Sequence, residues 1–129
     1  MDVAQALAEL TELSSQVERA VVLDGSGAVL GSTSADVDTT ERLASAARDL
    51  LSAAADLHTS QVTRVEVELG HGAVFVLREG GRTIAAVTPP HPISGLVAYD
   101  LRTCLSGIDD APKPKRTRAQ KSKPAEADE

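Results

Sequence analysis

Three β-type runs separated by two glycine-containing turns occupy residues 63–88 and constrain the fold more than any other feature of the sequence. The first run, "TRVEVEL", alternates strictly between apolar and charged residues, as a strand with one exposed face does. Gly70-His71-Gly72 then leads into "AVFVL", and Glu79-Gly80-Gly81-Arg82 leads into "TIAAV". These short connections predict an antiparallel meander of three strands, and the one-sided polarity of the first run places that strand near an edge of the sheet.

The stretch "VVLDGSGAVLG" at residues 21–31 raises the question of whether its glycines bind a phosphate. A dinucleotide-binding loop needs G-x-G-x-x-G before a helix, whereas Gly25, Gly27 and Gly31 are spaced G-x-G-x-x-x-G and β-prone sequence follows them. The sequence also lacks the Gly-Lys-Ser/Thr of a Walker-type loop. Asp-Gly between two apolar runs is typical of a hairpin, so Asp24-Gly25 and Gly27 are predicted to shape a turn between two strands within Arg19–Ser34.

Three amphipathic helices are predicted around these five strands. The first covers residues 2–17 and has apolar side chains at steps of three and four: Val3, Leu7, Leu10, Leu13 and Val17. The second is expected to have Asp38 as its N-cap, with Glu41 three residues later, and to extend to His58. The third is expected to open at Pro92 and to end near Leu105. Its apolar side is predicted to comprise Leu96, Val97, Leu101, Cys104 and Leu105.

The second helix has an unusually wide apolar surface. Its central stripe consists of Leu43, Ala47, Leu50, Ala54 and Leu57. The stripe is widened on one flank by Ala44, Leu51 and Ala55, and on the other by Ala46 and Ala53. The polar remainder is narrow and consists of Ser45, Asp49, Ser52 and Asp56. We expect such a helix to pack closely on more than one neighbour.

The resulting order, α-β-β-α-β-β-β-α, predicts an α/β (α+β) sandwich with a five-stranded antiparallel sheet between helices. The runs "AVVL", "AVFVL" and "TIAAV" are apolar on both strand faces, so helices are expected above and below the sheet. Residues 1–108 form the predicted domain. Residues 109–129 contain no aliphatic side chain larger than Ala and are predicted to be a disordered tail, basic and then acidic.

The residue content gives little support for catalysis or for a cofactor. Cys104 is the only cysteine, which excludes an internal disulfide and a cysteine-based zinc site, and it is expected to be buried. His58, His71 and His91 are far apart and are expected to be solvated or to cap a helix. No acid/base pair or activated nucleophile is indicated. We therefore predict no catalytic, metal-binding or cofactor-binding residue and a non-enzymatic protein.

Charge is divided between the body and the tail. Residues 1–110 hold seven Lys/Arg and sixteen Asp/Glu, a balance of −9, whereas residues 111–129 have a balance of +3. An acidic body is a poor nucleic-acid surface, so no specific nucleic acid is expected as a partner. The block "KPKRTRAQKSK" lacks aromatic residues for base stacking and is interpreted as a solubilising extension, although weak charge contacts with nucleic acid or an anionic membrane stay open. No membrane span or signal peptide is predicted, and a cytoplasmic location is expected.

With this order in place, the sequence resembles the Roadblock family (the dynein light chain roadblock, or MglB-type, domain). The resemblance covers about residues 3–108 and is carried by "VERAVVLDGSGAVLGSTS", the alanine-rich second helix, "VEVELGHGAVFVLREGGRTIAAVT" and "GLVAYDLRTCL". It implies a non-enzymatic module that forms homodimers or heterodimers, in which the second helices pack together and the third strands pair edge to edge. The dimer interface that it implies comprises Ala46, Leu50, Ala53, Ala54, Leu57, Arg64, Val65, Glu66, Val67 and Glu68.

The resemblance also implies a partner. Bacterial relatives commonly act with small Ras-like GTPases of the MglA type, and the alanine- and arginine-rich composition suits a bacterium. MglB-type members bind the GTPase around their second helices, which points to Arg42, Arg48, Asp49 and Asp56 in this sequence. These members insert no catalytic arginine, so Arg48 is not interpreted as an arginine finger.

Other functions stay open beside that of a GTPase regulator. The first alternative is a scaffold in a signalling or polar complex with no nucleotide dependence. A ligand-sensing domain has less support, because few aromatic and convergent polar residues are available to line a pocket. Some relatives use C-terminal extensions to touch the GTPase, so a partner role for the tail also stays open.

Overall fold

A computed structural model describes residues 1–57 and 61–109 of the chain. The elements are α1 (Val3–Leu13), β1 (Arg19–Leu23), β2 (Val29–Ser32), α2 (Val37–Ala55), β3 (Arg64–Leu69), β4 (Gly72–Glu79), β5 (Arg82–Thr88) and α3 (Ser94–Gly107). The predicted order of three helices and five strands is confirmed. His58 and the predicted tail from residue 110 onward lie outside the described residues.

The five strands form one antiparallel sheet in the order β2-β1-β5-β4-β3. The meander β3-β4-β5 is present as predicted, and β3 lies at an edge. The β1–β2 hairpin is part of the same sheet through the pairing of β1 with β5, in which Val21 lies opposite Ala85. β5 is therefore the central strand, and its buried run from Thr83 to Ala86 links the two hairpin units.

Alternation along the strands divides the core into two layers. On one face, Phe75, Ile84 and Ala86 are fully buried under α1 and α3. On the other face, Val76 and Ala85 are buried under α2 alone. Side chains on both faces are apolar because both faces carry helices, which is why these strands read as continuous apolar runs. The two faces differ in how much of the sheet their helices cover.

The Asp24-Gly25 stretch is a turn, as the sequence indicated. The Asp24 carboxylate accepts hydrogen bonds from the Ser26 amide (2.8 Å), the Ser26 hydroxyl (2.7 Å) and the Ala28 amide (3.0 Å). These bonds, the Ser26 hydroxyl first, hold the pKa of Asp24 below its ordinary value. Gly27 adopts φ 89°, a conformation that side chains disfavour, so the glycine serves the backbone of the hairpin.

The start of α2 differs from the prediction. Its N-cap is Asp36, not Asp38, and the Asp36 side chain accepts a hydrogen bond from the Thr39 amide at 3.2 Å. The Thr39 hydroxyl also donates to this carboxylate, and the two bonds lower the pKa of Asp36. A second acidic residue two positions before the predicted cap offered the same capping chemistry, and the local pattern could not distinguish the two.

The boundaries of α1 and α3 also differ from those that their apolar patterns suggested. α1 ends at Leu13, which is 73% exposed, and Val17 is buried only after the chain has left the helix. α3 begins at Ser94 and continues to Gly107, beyond the expected end near Leu105. Leu96, which was expected on its apolar side, is 47% exposed. In each case the apolar spacing continues past the part of the helix that contacts the sheet.

We expect Gly72→Ala to be strongly destabilising. A Cβ at Gly72 would lie 2.3 Å from the backbone oxygen of Thr88 in the neighbouring strand, so β4 and β5 would have to separate. The free energy of unfolding should fall by about 1–3 kcal/mol, the usual range for overpacking, as measured by chemical denaturation.

Gly70→Ala is the matched control, because a Cβ there meets no atom within 4 Å. Its effect should stay within about 0.5 kcal/mol. Equal stability of Gly72→Ala and the wild type would show that the two strands do not approach each other as described.

Candidate protein-interaction surface

The α2 side of the sheet is only partly covered. α2 buries Leu43, Ala44 and Ala47 against the sheet, but it leaves an apolar strip beside it, which we call the α2–β3 surface. On the sheet this strip consists of the half-buried Val65, Val67, Val74 and Val87 and the exposed Leu69. On the helix it consists of the half-buried Leu50 and the exposed Ala46 and Ala53, and the exposed Leu57 follows just after the helix ends. Contiguous apolar surface of this kind is typical of a protein interface.

The edge strand β3 separates its side chains between the two faces. Val65 and Val67 lie opposite Val76 and Val74 of β4 and so project toward α2. Glu66 lies opposite Phe75 and projects toward the α1 and α3 side, where it accepts a hydrogen bond from the Ser94 hydroxyl. Within the described residues the other edge of β3 pairs with no strand, so its backbone amides and carbonyls are available to a further strand.

The residues predicted for the dimer interface divide along the same lines. Leu50 and Ala54 are half-buried, and Ala46, Ala53 and Leu57 are exposed. Together with Val65 and Val67 they lie on the α2 side. Arg64, Glu66 and Glu68 belong to the free edge through their backbone, but their side chains project from the opposite face.

The residues predicted to contact a partner do not all lie together. Arg42, Asp49 and Asp56 are exposed and are spaced seven residues apart, so they line up along the outer side of α2. Arg48 lies on a different side of the helix. Its Nε donates to the Gly27 carbonyl at 2.8 Å, and its Nη1 pairs with Glu41 at 2.8 Å. Arg48 thus joins α2 to the β1–β2 turn.

An open groove of about 470 Å³ lies at the end of the sheet beside the start of α2. Arg19 and Arg42 line it together with the apolar side chains of Leu69, Val74 and Val87. It continues the α2–β3 surface and adds two cations to its rim. Arg42 is thus the one predicted partner residue that borders the apolar strip.

A second, narrow cleft of about 30 Å³ lies between α1 and α3, which we call the α1–α3 groove. It is lined by Ala6, Glu9, Leu10, Leu13, Asp100 and Cys104, among others. Cys104 is buried, as predicted, and its thiol donates to the Ala6 carbonyl at 3.6 Å. Burial and, to a smaller extent, the charge of Glu9 raise the pKa of the Cys104 thiol to about 11.

In the part of the chain that the structure describes, few side chains are arranged for metal binding or for other chemistry. In residues 1–57 and 61–109, no three His, Cys, Asp or Glu side chains gather in a way that could hold a metal ion. His71 lies in the β3–β4 turn, and His91 adopts a positive φ of 58° before α3. None of the helices in the same ranges is long and apolar enough to cross a membrane.

Sequence reasoning missed the contribution of Val74, Val87 and Arg19 to this surface. The first two belong to runs that were interpreted as buried on both faces. A usable signal was present, because three helices cannot cover two faces of a five-stranded sheet equally. The face with one helix must leave apolar side chains partly exposed.

A family model described as the Roadblock/LC7 domain matches residues 3–88. A search of curated proteins returns no match to this sequence. Among solved structures, a Roadblock/LC7 domain from Streptomyces avermitilis superposes with a TM-score of 0.73 at 20% identity, over 82% of this chain and 93% of that one. Another domain with that description and source gives 0.69 at 26% identity, over 84% and 99%. Myxococcus xanthus MglB gives 0.66 at 14% identity, over 81% and 89%.

The raised pKa of Cys104 predicts a loss of stability at alkaline pH. The folded protein holds the thiol proton more tightly than the unfolded chain, so this contribution is complete below the ordinary value of 9.0 and is lost as the pH rises through about 11. At about 1.4 kcal/mol per pKa unit, the loss should reach at most about 3 kcal/mol.

The measurement is the free energy of unfolding by denaturant between pH 8 and 11, compared with Cys104→Ala. The variant lacks the thiol, so the difference between the two curves isolates Cys104 from the lysines and arginines. Parallel curves over this interval would contradict the assignment.

Proposed function

Because this chain belongs to the Roadblock/LC7 family, whose members are regulatory and adaptor modules, we propose that it is a non-enzymatic homodimer that binds and regulates a small Ras-like GTPase. The observation that carries the proposal is the α2–β3 surface, an apolar strip beside one helix and next to a free strand edge. The structural likeness to MglB supports the choice of a GTPase as partner. A cytoplasmic location is part of the same proposal.

A second copy of the chain fits the α2–β3 surface on physical grounds. Antiparallel pairing of two β3 strands would satisfy the free backbone groups of both edges and would extend the sheet across the dimer. Each α2 would then lie beside its counterpart, and the alanines at positions 46 and 53 allow close approach of the two helices. Full burial of a Val or Leu side chain contributes roughly 1.5–3 kcal/mol, and several such side chains lie on each copy.

Charge on β3 selects one register for this pairing. If Glu66 lies opposite the partner's Glu66, then Arg64 lies opposite the partner's Glu68 and Val65 lies opposite the partner's Val67. By symmetry each favourable pair occurs twice, and the single unfavourable pair lies at the centre. Each cross-strand pair of opposite charge contributes roughly 0.2–1 kcal/mol, so two of them outweigh the central repulsion.

The outer side of α2 is the proposed contact for the GTPase. Asp49 and Asp56 lie on the outer side of α2, so dimerisation through the α2–β3 surface leaves them accessible, and Arg42 lies at the rim of that surface. Arg48 is assigned a structural role, because its guanidinium is bound to the Gly27 carbonyl and to Glu41. A GTPase would supply the nucleotide site, since the glycines of the β1–β2 turn are engaged in the hairpin.

The register predicts that a charge swap restores the dimer. Arg64→Glu places two carboxylates opposite each other at both ends of the pairing, and Glu68→Arg places two guanidinium groups there. Either change should raise the dimer dissociation constant several-fold to tenfold, and the double variant should return it close to the wild-type value. Analytical ultracentrifugation measures all four constants.

Thr103→Lys is the control for a surface change remote from the α2–β3 surface, and it should leave the constant unchanged. A wild-type protein that stays at its monomer mass of 13.4 kDa at micromolar concentration would end the homodimer proposal. Additive losses in the double variant would refute the register while leaving the dimer intact.

GTPase binding should depend on the outer side of α2. We expect the double variant Arg42→Glu with Asp49→Arg to lose at least about tenfold in affinity for a Ras-like GTPase of the source cell, because both charges are inverted at the contact. Binding and GTP hydrolysis are measured with the GTPase loaded with GDP and with GTP.

The matched control inverts two charges elsewhere, with Glu79→Arg and Arg102→Glu, which exchanges the partners of an existing ion pair. It should bind as the wild type does. Absence of binding to any such GTPase in either nucleotide state would refute this part of the proposal. Stable partners whose binding ignores the nucleotide would favour the alternative, a scaffold in a signalling or polar complex.

A further inference from the structure

The α1–α3 groove lies on the opposite face of the sheet from the α2–β3 surface, and its floor is apolar. α1 and α3 run antiparallel beside each other, since Met1 lies near Gly107 at one end and Leu13 lies near Asp100 at the other. At the Leu13 end three large side chains stay exposed: Leu13 at 73%, Tyr99 at 64% and Leu96 at 47%. Leu13 lines the groove, and Leu96 and Tyr99 lie one helical turn before Asp100 and Thr103, which line it, so uncovered apolar side chains continue the groove at this end.

The described residues that line this groove include carboxylates but no Lys or Arg, and the N-terminal ammonium of Met1, at the Gly107 end, is paired with Asp109 at 2.7 Å. α1 contains no Lys or Arg, and its last turn carries Glu12, where the helix dipole already favours a positive charge. Glu9 and Asp100 line the groove from either side. The one arginine of α3, Arg102, pairs with Glu79 at 3.5 Å. A cation placed along this groove would meet carboxylates that no residue of α1 or α3 neutralises.

The chain leaves the described structure at one end of the same groove. The Asp109 amide donates to the Met1 carbonyl at 2.8 Å, and Arg82 donates to the Asp109 carbonyl at 3.1 Å. These bonds fix the last described residue beside Gly107, at the end of α3. The segment that follows includes residues 113–123, "KPKRTRAQKSK", with six Lys/Arg and no Asp or Glu.

We propose that residues 113–123 dock along the α1–α3 groove of their own molecule. The reach is suitable, because the middle of this block lies six to nine residues beyond Asp109, or roughly 15 Å for a flexible chain, and the eleven residues from Gly107 back to Leu96 span about 16 Å of helix. Lys and Arg stems cover the exposed Leu13 and Leu96 while their charges meet Glu9, Glu12 and Asp100. The Tyr99 ring adds a face on which a guanidinium stacks.

The other acidic surface of the molecule is a poorer site for this segment. On α2, Glu41 is already paired with Arg48, and Arg42 lies in the same row as Asp49 and Asp56. α2 also lies on the far side of the sheet from the point where the chain leaves Asp109. Tethering raises the effective concentration of the block at the nearer groove to about the millimolar range, which compensates for weak individual ion pairs.

The experiment uses the full chain, labelled with ¹⁵N, with a nitroxide spin label at Ser122→Cys in a Cys104→Ala background. At about 20 mM salt, we expect the nitroxide to reduce the amide signals of Glu9–Leu13 and Leu96–Thr103 by about half of their intensity or more. At about 500 mM salt the signals should recover, because salt screens ion pairs between exposed groups. Neutralising Glu9, Glu12 and Asp100 as Gln, Gln and Asn should abolish the broadening.

The matched control neutralises three carboxylates of α2, with Asp38→Asn, Asp49→Asn and Asp56→Asn, and it should keep the broadening because the total charge change is the same. Chemical-shift maps of both triple variants verify that they fold.

Broadening that is absent in the wild type, or that both triple variants abolish equally, would overturn the proposal. A mixture of labelled protein without nitroxide and unlabelled protein with nitroxide tests docking between molecules, and broadening of equal size there would also overturn it. The result does not depend on whether a GTPase binds.

Discussion

The structure depends on an unequal division of three helices between two apolar faces of one sheet. α1 and α3 together bury Phe75, Ile84 and Leu101 completely, whereas α2 alone cannot cover the opposite face. The strip that remains, with Val65, Val67 and Val74, costs free energy in water for as long as it stays exposed. On the same side of the molecule β3 is an edge strand, because no further strand of the described residues pairs with it. An uncovered apolar strip beside a free strand edge is therefore a consequence of the fold itself and requires no added loop or insertion.

The sequence allowed the fold to be predicted where local patterns and tertiary packing agree. The meander, the Asp24-Gly25 turn and the place of β3 at the edge all follow from spacing and turn chemistry, and all are present. Helix boundaries were predicted less well, because Asp36 and Asp38 offer equivalent caps and Leu13 continues an apolar spacing that no neighbour covers. Periodicity shows which side chains share one side of a helix, but only the length of the contact with the sheet decides which of them are buried.

The candidate surface was predictable in part for the same reason. The wide apolar side of α2 is visible in the sequence, and the exposed Ala46 and Ala53 lie where that width indicated. Spacing in the sequence could not show that Arg48 has different contacts from Arg42, because the hydrogen bond of Arg48 to Gly27 joins residues far apart in the chain. The same contact places the β1–β2 turn close to Arg48 of α2. Gly27 presents its carbonyl to Nε, and a Cβ on Gly27 would lie 3.4 Å from that atom.

Charge is distributed differently on the two helical layers. On the α2 side, cations and carboxylates alternate, with Glu41 bound to Arg48 and Arg19 near Arg42, so the field there changes sign over short distances and suits recognition of a folded partner. On the α1 and α3 side, Glu9 and Asp100 line the groove with no Lys or Arg in its lining, and the Met1 ammonium is paired with Asp109, so the field there is of one sign, which suits an extended cationic segment. An apolar strip binds only what matches its shape, whereas a uniform field attracts any flexible chain of opposite sign. In the proposed docking, the tether gives residues 113–123 an advantage over free cationic competitors, because it raises their effective concentration at the groove.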